Sequence, residues 1–297
     1  MPVELRPLRE VIESHGLWAK KSLGQHFLLD TNLLAKIVRA AGDISQTHII
    51  EVGPGPGGLT RAILEANPKH LTAIEKDARC LEALAPLSEN YPNQFTLVQE
   101  DALKVDISTL EIPQHFHYGG GSTPRAIIAN LPYNVGTQLI IDWLQLAAGQ
   151  GPQALTGFTV MLQKEVAERM AAQVGDDAYG RLSVIMQQFT DAAILFDVPA
   201  SAFTPPPKVV SAILRARILD KPREDVPLKL LERVVASAFN HRRKMLRQSL
   251  KSLNIDAITL CEKAGIDPTL RAEVCDLPMF AQLARALAKM LDEPGNI

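Results

Sequence analysis

The chain has 297 residues, 46% hydrophobic and 22% charged, with a formal net charge of −2, which describes a folded chain with room for two domains or one large core plus a satellite. Its isoelectric point near 6.4 argues against a uniformly basic nucleic-acid binder, so any RNA contact has to come from local patches. Cys80, Cys261 and Cys275 form no CxxC pair, no stretch reaches the roughly 18 apolar residues of a membrane span, and the first ten residues lack a basic-then-apolar leader pattern; the expectation is a cytoplasmic protein with no metal and no membrane partner.

The first stretch, to about residue 20, reads as a helix and a linker. Leu33, Leu34, Ile37 and Val38 predict a helix over Asp30–Ala41, with Asp30 or Thr31 as N-cap. Short apolar runs then alternate with helical stretches. The expected strands are His48–Val52, Leu71–Glu75, Phe95–Gln99, Arg125–Asn130, Thr156–Gln163, Ala192–Val198 and Val209–Ile218; Leu59–Ala66 and Gln138–Ala147 are among the expected helices. This alternation predicts a Rossmann-like α/β domain, a mostly parallel sheet covered by helices on both faces. The link Phe203-Thr-Pro-Pro-Pro-Lys208 is too short and proline-rich for a covering helix, so the last strand is expected to run antiparallel. Tyr118-Gly-Gly-Gly-Ser-Thr-Pro124 reads as a surface loop. Asp220–Pro227 reads as a linker, and only helical patterns follow: Leu228–Phe239, His241–Leu253, Ile255–Ala264 and Leu277–Leu291. The expected organisation is a sheet domain, residues 1–219, and a small all-helical C-terminal domain, residues 220–297.

Glu51-Val-Gly-Pro-Gly-Pro-Gly-Gly-Leu-Thr60 follows a strand and opens a helix. Glycines there admit a ligand close to the backbone, and the helix N-terminus adds a partial positive end. Gly53, Gly55 and Gly58 have the spacing of a dinucleotide fingerprint. Glu75, 22 residues beyond Gly53, ends the second strand, where a carboxylate can accept both ribose hydroxyls. A nicotinamide cofactor is one reading, and a ligand-free turn another. Two features favour S-adenosylmethionine. Glu51 would repel a pyrophosphate but suits an ammonium and a sulfonium. Pro54 and Pro56 also remove two N–H donors that a phosphate needs. Asp101, after the third strand, is placed for the adenine amino group of that cofactor, although taken alone it reads first as a helix N-cap.

Asn130-Leu-Pro-Tyr133 ends the fourth strand, and in such sheets the crevice lies at the carboxyl ends of the strands. The pattern suits methyl transfer to an exocyclic amine, a poor nucleophile because its lone pair is delocalised into the ring. The Asn130 side-chain oxygen and the Leu131 carbonyl can accept its two N–H groups and so free the lone pair. Pro132 fixes the turn, and Tyr133 offers a ring for stacking a flipped-out base. Stacking draws on the ring, so the Tyr133 hydroxyl is expected to be dispensable.

With these motifs the chain resembles, nearly end to end, the ribosomal RNA adenine dimethyltransferases, which modify two adjacent adenosines near the 3′ end of small-subunit RNA. Lys20-Lys-Ser-Leu-Gly-Gln-His-Phe-Leu28 is similar to that family's N-terminal cofactor segment. Phe203-Thr-Pro-Pro-Pro-Lys-Val-Val-Ser211 is similar to its late proline-rich motif, whose Phe lies near the target base. Phe239-Asn-His-Arg-Arg-Lys244 and Arg271-Ala-Glu273 are similar to its C-terminal helical domain. The resemblance implies an S-adenosylmethionine-dependent methyltransferase with His26, Leu28, Gly53, Glu75, Asp101 and Asn130 at the cofactor, joined by Glu51 and Gly55 from the glycine loop. It implies Asn130, Leu131, Pro132, Tyr133 and Phe203 at the target base. It also implies small-subunit ribosomal RNA, carried on an immature small subunit, as partner of a monomeric enzyme, with a role in ribosome biogenesis. His26 departs from the asparagine of many members, and Val274-Cys275 from the leucine usual there.

His241–Lys251 carries Arg242, Arg243, Lys244, Arg247 and Lys251, and no acid occurs between Glu232 and Asp256. As one helix it would place Arg243, Arg247 and Lys251 on one face and Leu246, Leu250 and Leu253 on another. That face is either an RNA-phosphate contact or a solvated surface; the resemblance favours RNA. Two competing functions stand beside this reading. One is a related adenine methyltransferase acting on DNA or large-subunit RNA, against which the C-terminal runs speak. The other is an assembly factor that binds RNA without turnover, against which the intact glycine loop and Asn130–Tyr133 speak.

Overall fold

The structure, a computed structural model, describes residues 5–17, 26–112 and 123–292. The expected loop at Gly119–Gly121 and the segment Lys20–Gln25 lie outside the described residues. The elements, in chain order, are α1 (Leu8–Ser14), β1 (Phe27–Leu28), α2 (Thr31–Ala40), β2 (His48–Val52), α3 (Gly58–Glu65), β3 (His70–Glu75), α4 (Ala78–Asn90), β4 (Phe95–Gln99), β5 (Arg125–Asn130), α5 (Gly136–Gln150), β6 (Gly157–Gln163), α6 (Lys164–Ala171), α7 (Arg181–Phe189), β7 (Thr190–Val198), β8 (Phe203–Thr204), β9 (Ser211–Ile218), α8 (Leu228–Asn240), α9 (Leu246–Ser249), α10 (Ala257–Ala264) and α11 (Leu277–Asp292).

One compact unit comprises the chain up to Ala167 together with Ala193–Ile218. A seven-stranded sheet runs in the order β4-β3-β2-β5-β6-β9-β7. β2 pairs in parallel with β3 and β5, β3 with β4, and β5 with β6, while β9 pairs antiparallel to β6, as the proline-rich link requires. Every residue of β2 and β3 is buried, as a central strand covered on both faces demands. α2 begins at Asp30, whose carboxylate accepts from the backbone N–H of Asn32 (2.9 Å) and Leu33 (3.2 Å) and caps the helix. Its Leu34, Ile37 and Val38 enter the sheet core beside Ile49, Ile63 and Leu71.

The second unit comprises Glu168–Ala192 and the chain from Leu219 onward. α7 belongs here with the C-terminal helices, an addition to the expected tail after residue 219. It comes with Tyr179, which is fully buried. The Tyr179 hydroxyl donates to the Cys275 carbonyl at 2.9 Å. Its ring meets Phe239 at 5.8 Å, and Phe239 meets Phe280 at 5.6 Å. Among the described residues, no helix is long and apolar enough to cross a membrane.

At the amino ends of β2 and β3 the buried His48 and His70 rings meet edge to face at 5.4 Å. His48 Nε2 is hydrogen-bonded to Thr72 Oγ1 at 2.8 Å, and His70 Nε2 to Thr96 Oγ1 at 2.9 Å. Burial, reinforced by His70 and Arg125, pushes the His48 imidazole down to about 3. The folded value lies below the ordinary value near 6.5, so the unfolded chain takes the proton first. Stability is complete above about pH 6.5 and falls as pH drops toward 3. Urea unfolding of the wild type is expected to lose up to about 1.4 kcal/mol per pH unit to this group in that window. His48→Gln keeps a hydrogen-bonding side chain without a titrating ring and is expected to flatten the slope by about one proton; an unchanged slope contradicts the assignment.

Candidate active site

The order of the sheet decides where a site can form. From β2 the chain winds outward through β3 to β4, then returns to the other side of β2 as β5 and continues to β6. The loops leaving β2 and β5 therefore turn away from each other, and a crevice opens at their carboxyl ends. The glycine loop leaves β2 there, and Asn130–Tyr133 leaves β5. A cavity of about 430 Å³ occupies that crevice. His26, Leu28, Glu51, Gly53, Gly55 and Glu75 line it, and so do Asp101, Asn130, Leu131, Pro132, Tyr133 and Phe203. The structure thus brings every expected cofactor and target residue of the sheet domain to one cavity.

Glu75 is the fixed point on the β2–β3 side of the cavity. Its Oε2 accepts from the Gly55 N–H at 3.1 Å, and its Oε1 accepts from the Lys76 and Asp77 N–H groups at 2.8 and 2.9 Å. The Gly53 N–H donates to the Ile74 carbonyl at 3.0 Å. The loop is laid against the end of β3 by these bonds. Gly57 shows why the loop needs glycine: its φ is +90°, and a Cβ there would meet Leu84 Cδ2 at 2.7 Å. Asp101 is an N-cap, and it also reaches the cavity. Its Oδ1 caps a short 3₁₀ turn through the Leu103 N–H at 3.1 Å, and its Oδ2 lies 3.8 Å from Lys76 Nζ at the cavity.

Glu51 is only 1% exposed, and its Oε2 is buried without a hydrogen-bond partner. Burial raises the Glu51 carboxyl to about 8; the Thr60 hydroxyl acts against this, and the Glu75 carboxylate acts with it. A buried acid with an unsatisfied oxygen, facing a cavity, is built to receive a cation or a donor.

On the β5 side, the Leu131 N–H donates to the Met161 carbonyl at 3.2 Å, which fixes the turn to β6. The Pro132 carbonyl accepts from Val135 and Gly136 and starts α5, whereas no backbone N–H of the described residues takes the Leu131 carbonyl. The Leu131 carbonyl is thus left open to a ligand's donor. The Tyr133 hydroxyl is 2.7 Å from Ser211 Oγ. The short pair β1–β8 aligns Leu28 with Phe203 and Phe27 with Thr204. His26 Nδ1 is hydrogen-bonded to the Pro205 carbonyl at 2.8 Å, and its ring lies 6.2 Å from Tyr133 and 6.4 Å from Phe203.

Three features went unread in the sequence. Lys76, Leu103 and Val135 also line the cavity. The pairing of β1 with β8 joins segments about 175 residues apart and carries no local signal. Ser211 closes the proline-rich motif, and that position was the one available clue to its contact with Tyr133.

In the second unit the expected helix His241–Leu253 does not form as such. His241 ends α8, and the Lys244 N–H closes a turn on its carbonyl at 2.8 Å. Met245 then bridges Arg271, and the Leu246 N–H donates to the Leu270 carbonyl at 2.7 Å. The backbone here is held by the 270–271 segment, so helix begins only at Leu246, with a 3₁₀ turn over Leu250–Leu253. Leu246, Leu250 and Leu253 are buried as expected. Arg243 and Lys244 are exposed in the turn, and Arg247 and Lys251 beyond it. Arg242 Nε sits 3.4 Å from Glu273 Oε2. The basic run at 239–244 thus meets the Arg271–Glu273 run, and its cations do not form one basic helical face.

Residues 16–289 match the family described as ribosomal RNA adenine dimethylase. The chain is 51% identical over 285 residues to ribosomal RNA small subunit methyltransferase A of Mesorhizobium japonicum, covering 95% of this chain and 98% of that protein. The crystal structure of a dimethyladenosine transferase from Plasmodium falciparum shares the fold, with a TM-score of 0.73 at 24% identity, over 89% of this chain and 98% of that one. The 23S rRNA methyltransferase ErmE aligns with a TM-score of 0.63 at 25% identity, over 88% and 99%.

The raised Glu51 value carries a test in the ligand-free protein. A carboxyl raised above its ordinary value gives full stability below about pH 4.5, and that stability is lost as pH climbs toward 8. Glu51→Gln is therefore expected to stabilise the protein at pH 8, by up to about 4 kcal/mol in urea unfolding, and to be near neutral at pH 4.5. An equal effect at both pH values contradicts the titration.

Proposed function

The chain belongs to the ribosomal RNA adenine dimethylase family, and from that premise we propose how its cavity serves the reaction. The protein is a methyltransferase that dimethylates adenine in small-subunit ribosomal RNA. The observation that carries the reading of the site is the meeting of the glycine loop and the Asn130–Tyr133 turn over one cavity at the sheet's switch point.

The residues present suit S-adenosylmethionine. The orphaned, buried Oε2 of Glu51 matches a cationic amino group. Glu75, already aligned by three N–H donors, keeps lone pairs for the ribose hydroxyls. Asp101, at the cavity wall, would accept from an amino-substituted ring, and His26 and Leu28 line the cavity beside β1. When bound, this cofactor supplies an electrophilic methyl group. Asn130 and the Leu131 carbonyl accept the two N–H groups of the target amine and free its lone pair. Tyr133 and Phe203 hold the base from its faces, and the whole assembly keeps the amine in line with the methyl. Asn130 and its neighbours need no general base, because the product nitrogen sheds its proton to water. For the second methyl one acceptor has lost its N–H partner, and alignment rests on the other.

The substrate is proposed to be the pair of adjacent adenosines near the RNA 3′ end on a partly assembled small subunit, reached in the cytoplasm. Arg242, Arg243, Lys244, Arg247 and Lys251 are proposed to contact its phosphates. The 51% identity to a small-subunit enzyme over nearly the whole chain, against 25% to ErmE, favours this over large-subunit RNA.

Calorimetry with S-adenosylmethionine is expected to show at least a tenfold loss of affinity for Glu75→Ala, since each charge-assisted hydrogen bond contributes about 1.5–3 kcal/mol. NAD is expected not to bind; micromolar NAD affinity, or a folded Glu75→Ala of unchanged affinity, contradicts the cofactor assignment. Asn130→Ala is expected to lower methyl transfer to undermethylated small subunits about 10²-fold or more, as loss of a preorganised polar group does; an active variant overturns the acceptor role. Reversing Arg243 and Arg247 to Glu is expected to weaken subunit binding and flatten its salt dependence at unchanged cofactor affinity. Constant subunit affinity would leave the basic turn a solvated surface.

A further inference from the structure

Tyr133 stands on a turn, where neither helix nor sheet holds its ring. Its neighbours in the chain fix the backbone, through Leu131 to β6 and through Pro132 to α5, but not the side-chain torsions. The ring is half-buried and lines the cavity. The one polar atom it carries is hydrogen-bonded to Ser211 Oγ at 2.7 Å. Ser211 is fully buried and opens β9, where its backbone pairs with Gln163 of β6. The Ser211 oxygen is therefore carried by the central sheet and is a rigid anchor.

The opposite side of the cavity is tied in a parallel way. His26 Nδ1 bonds the Pro205 carbonyl at 2.8 Å, and β1 pairs with β8, so Phe203 and the His26 ring are held by the same proline-rich segment that ends in Ser211. Segments 26–28, 130–133 and 203–211 form one hydrogen-bonded frame around the aromatic side chains of the pocket.

We infer that Ser211 is a positioning residue for base capture, which holds the Tyr133 ring in its stacking orientation through the tyrosine hydroxyl without touching the substrate. The inference rests on the reading of Tyr133 as the stacking residue. It reverses the expectation that the Tyr133 hydroxyl is dispensable, because that hydroxyl is what ties the ring to the sheet. A freely turning ring has to be ordered when the base arrives, at a cost in side-chain entropy. The burden falls on substrate capture more than on the transfer step. Burial keeps the Tyr133 phenol above its ordinary value, against the pull of the Ser211 bond, so the group is a neutral strut rather than a base.

The test is a double-mutant cycle on methylation of undermethylated small subunits, with Ser211→Ala, Tyr133→Phe and the pair, and thermal unfolding of each variant alongside. Each single variant is expected to raise KM for the subunit about five- to tenfold with kcat within twofold, and to leave the calorimetric affinity for S-adenosylmethionine unchanged. Ser211→Ala is expected to add nothing in the Tyr133→Phe background, because both remove the same bond. Additive losses, or a Tyr133→Phe enzyme with wild-type KM, overturn the inference. Tyr133→Ala separates it from the reading it rests on: if removing the whole ring leaves KM unchanged, the stacking role fails, whereas a large loss for Tyr133→Ala with none for Tyr133→Phe sinks the Ser211 role alone. Tyr133→Phe serves as the probe of the same bond should Ser211→Ala fail to fold.

Discussion

The Glu75 carboxylate, accepting N–H groups from Gly55, Lys76 and Asp77, is the interaction on which the functional end of the sheet depends. It joins the loop leaving β2 to the end of β3. Those two strands are parallel neighbours, and the residues beyond their carboxyl ends would otherwise be independent loops. Three donors on one carboxylate use backbone groups that a strand end leaves without ladder partners. The same carboxylate faces the cavity, so the group that shapes the loop is also the group offered to a ligand. With the loop fixed on one side of the switch point, the β5 turn supplies the other wall.

The cavity treats its two carboxyl groups in different ways. Glu75 is satisfied by the protein's own donors. Glu51 is buried one strand away with an oxygen left unsatisfied, which is a cost to the empty protein that a cationic ligand relieves. The site thus holds destabilisation in a place where binding removes it. The target side follows a different rule. Asn130, the Leu131 carbonyl and the aromatic rings are neutral, which suits the proposed alignment of an amine.

Much of this was readable in the residues, for reasons that can be located. The central strands β2 and β3 stand out because they are buried on both faces and bounded by glycine, proline or charge; β2, β5 and the edge strand β4 begin and end where their apolar runs do. The antiparallel β9 followed from three consecutive prolines. Glu75, Asp101 and Asn130 could be placed because each sits at or just past a strand end, so finding the strand located the residue. What failed or was missed is non-local. The helix expected over His241–Leu253 has a sound helical pattern, but the backbone around Met245 is captured by Arg271 and Leu270, and no periodicity registers a partner 26 residues away. The two-residue pairing of β1 with β8 is shorter than any pattern window. Residues 168–192 join the C-terminal unit through contacts such as Tyr179 with Cys275, which the linker-like composition of Asp220–Pro227 conceals.

This cavity is proposed to align the exocyclic amine of an adenine in small-subunit RNA for two successive methyl transfers. The direct measurement is mass spectrometry of RNA from undermethylated small subunits incubated with the protein and labelled S-adenosylmethionine, with naked RNA and DNA alongside. Dimethyladenosine is expected at two adjacent positions near the RNA 3′ end, formed on the subunit. A product that stops at monomethyladenosine, or label appearing only in DNA or large-subunit RNA, contradicts the proposal.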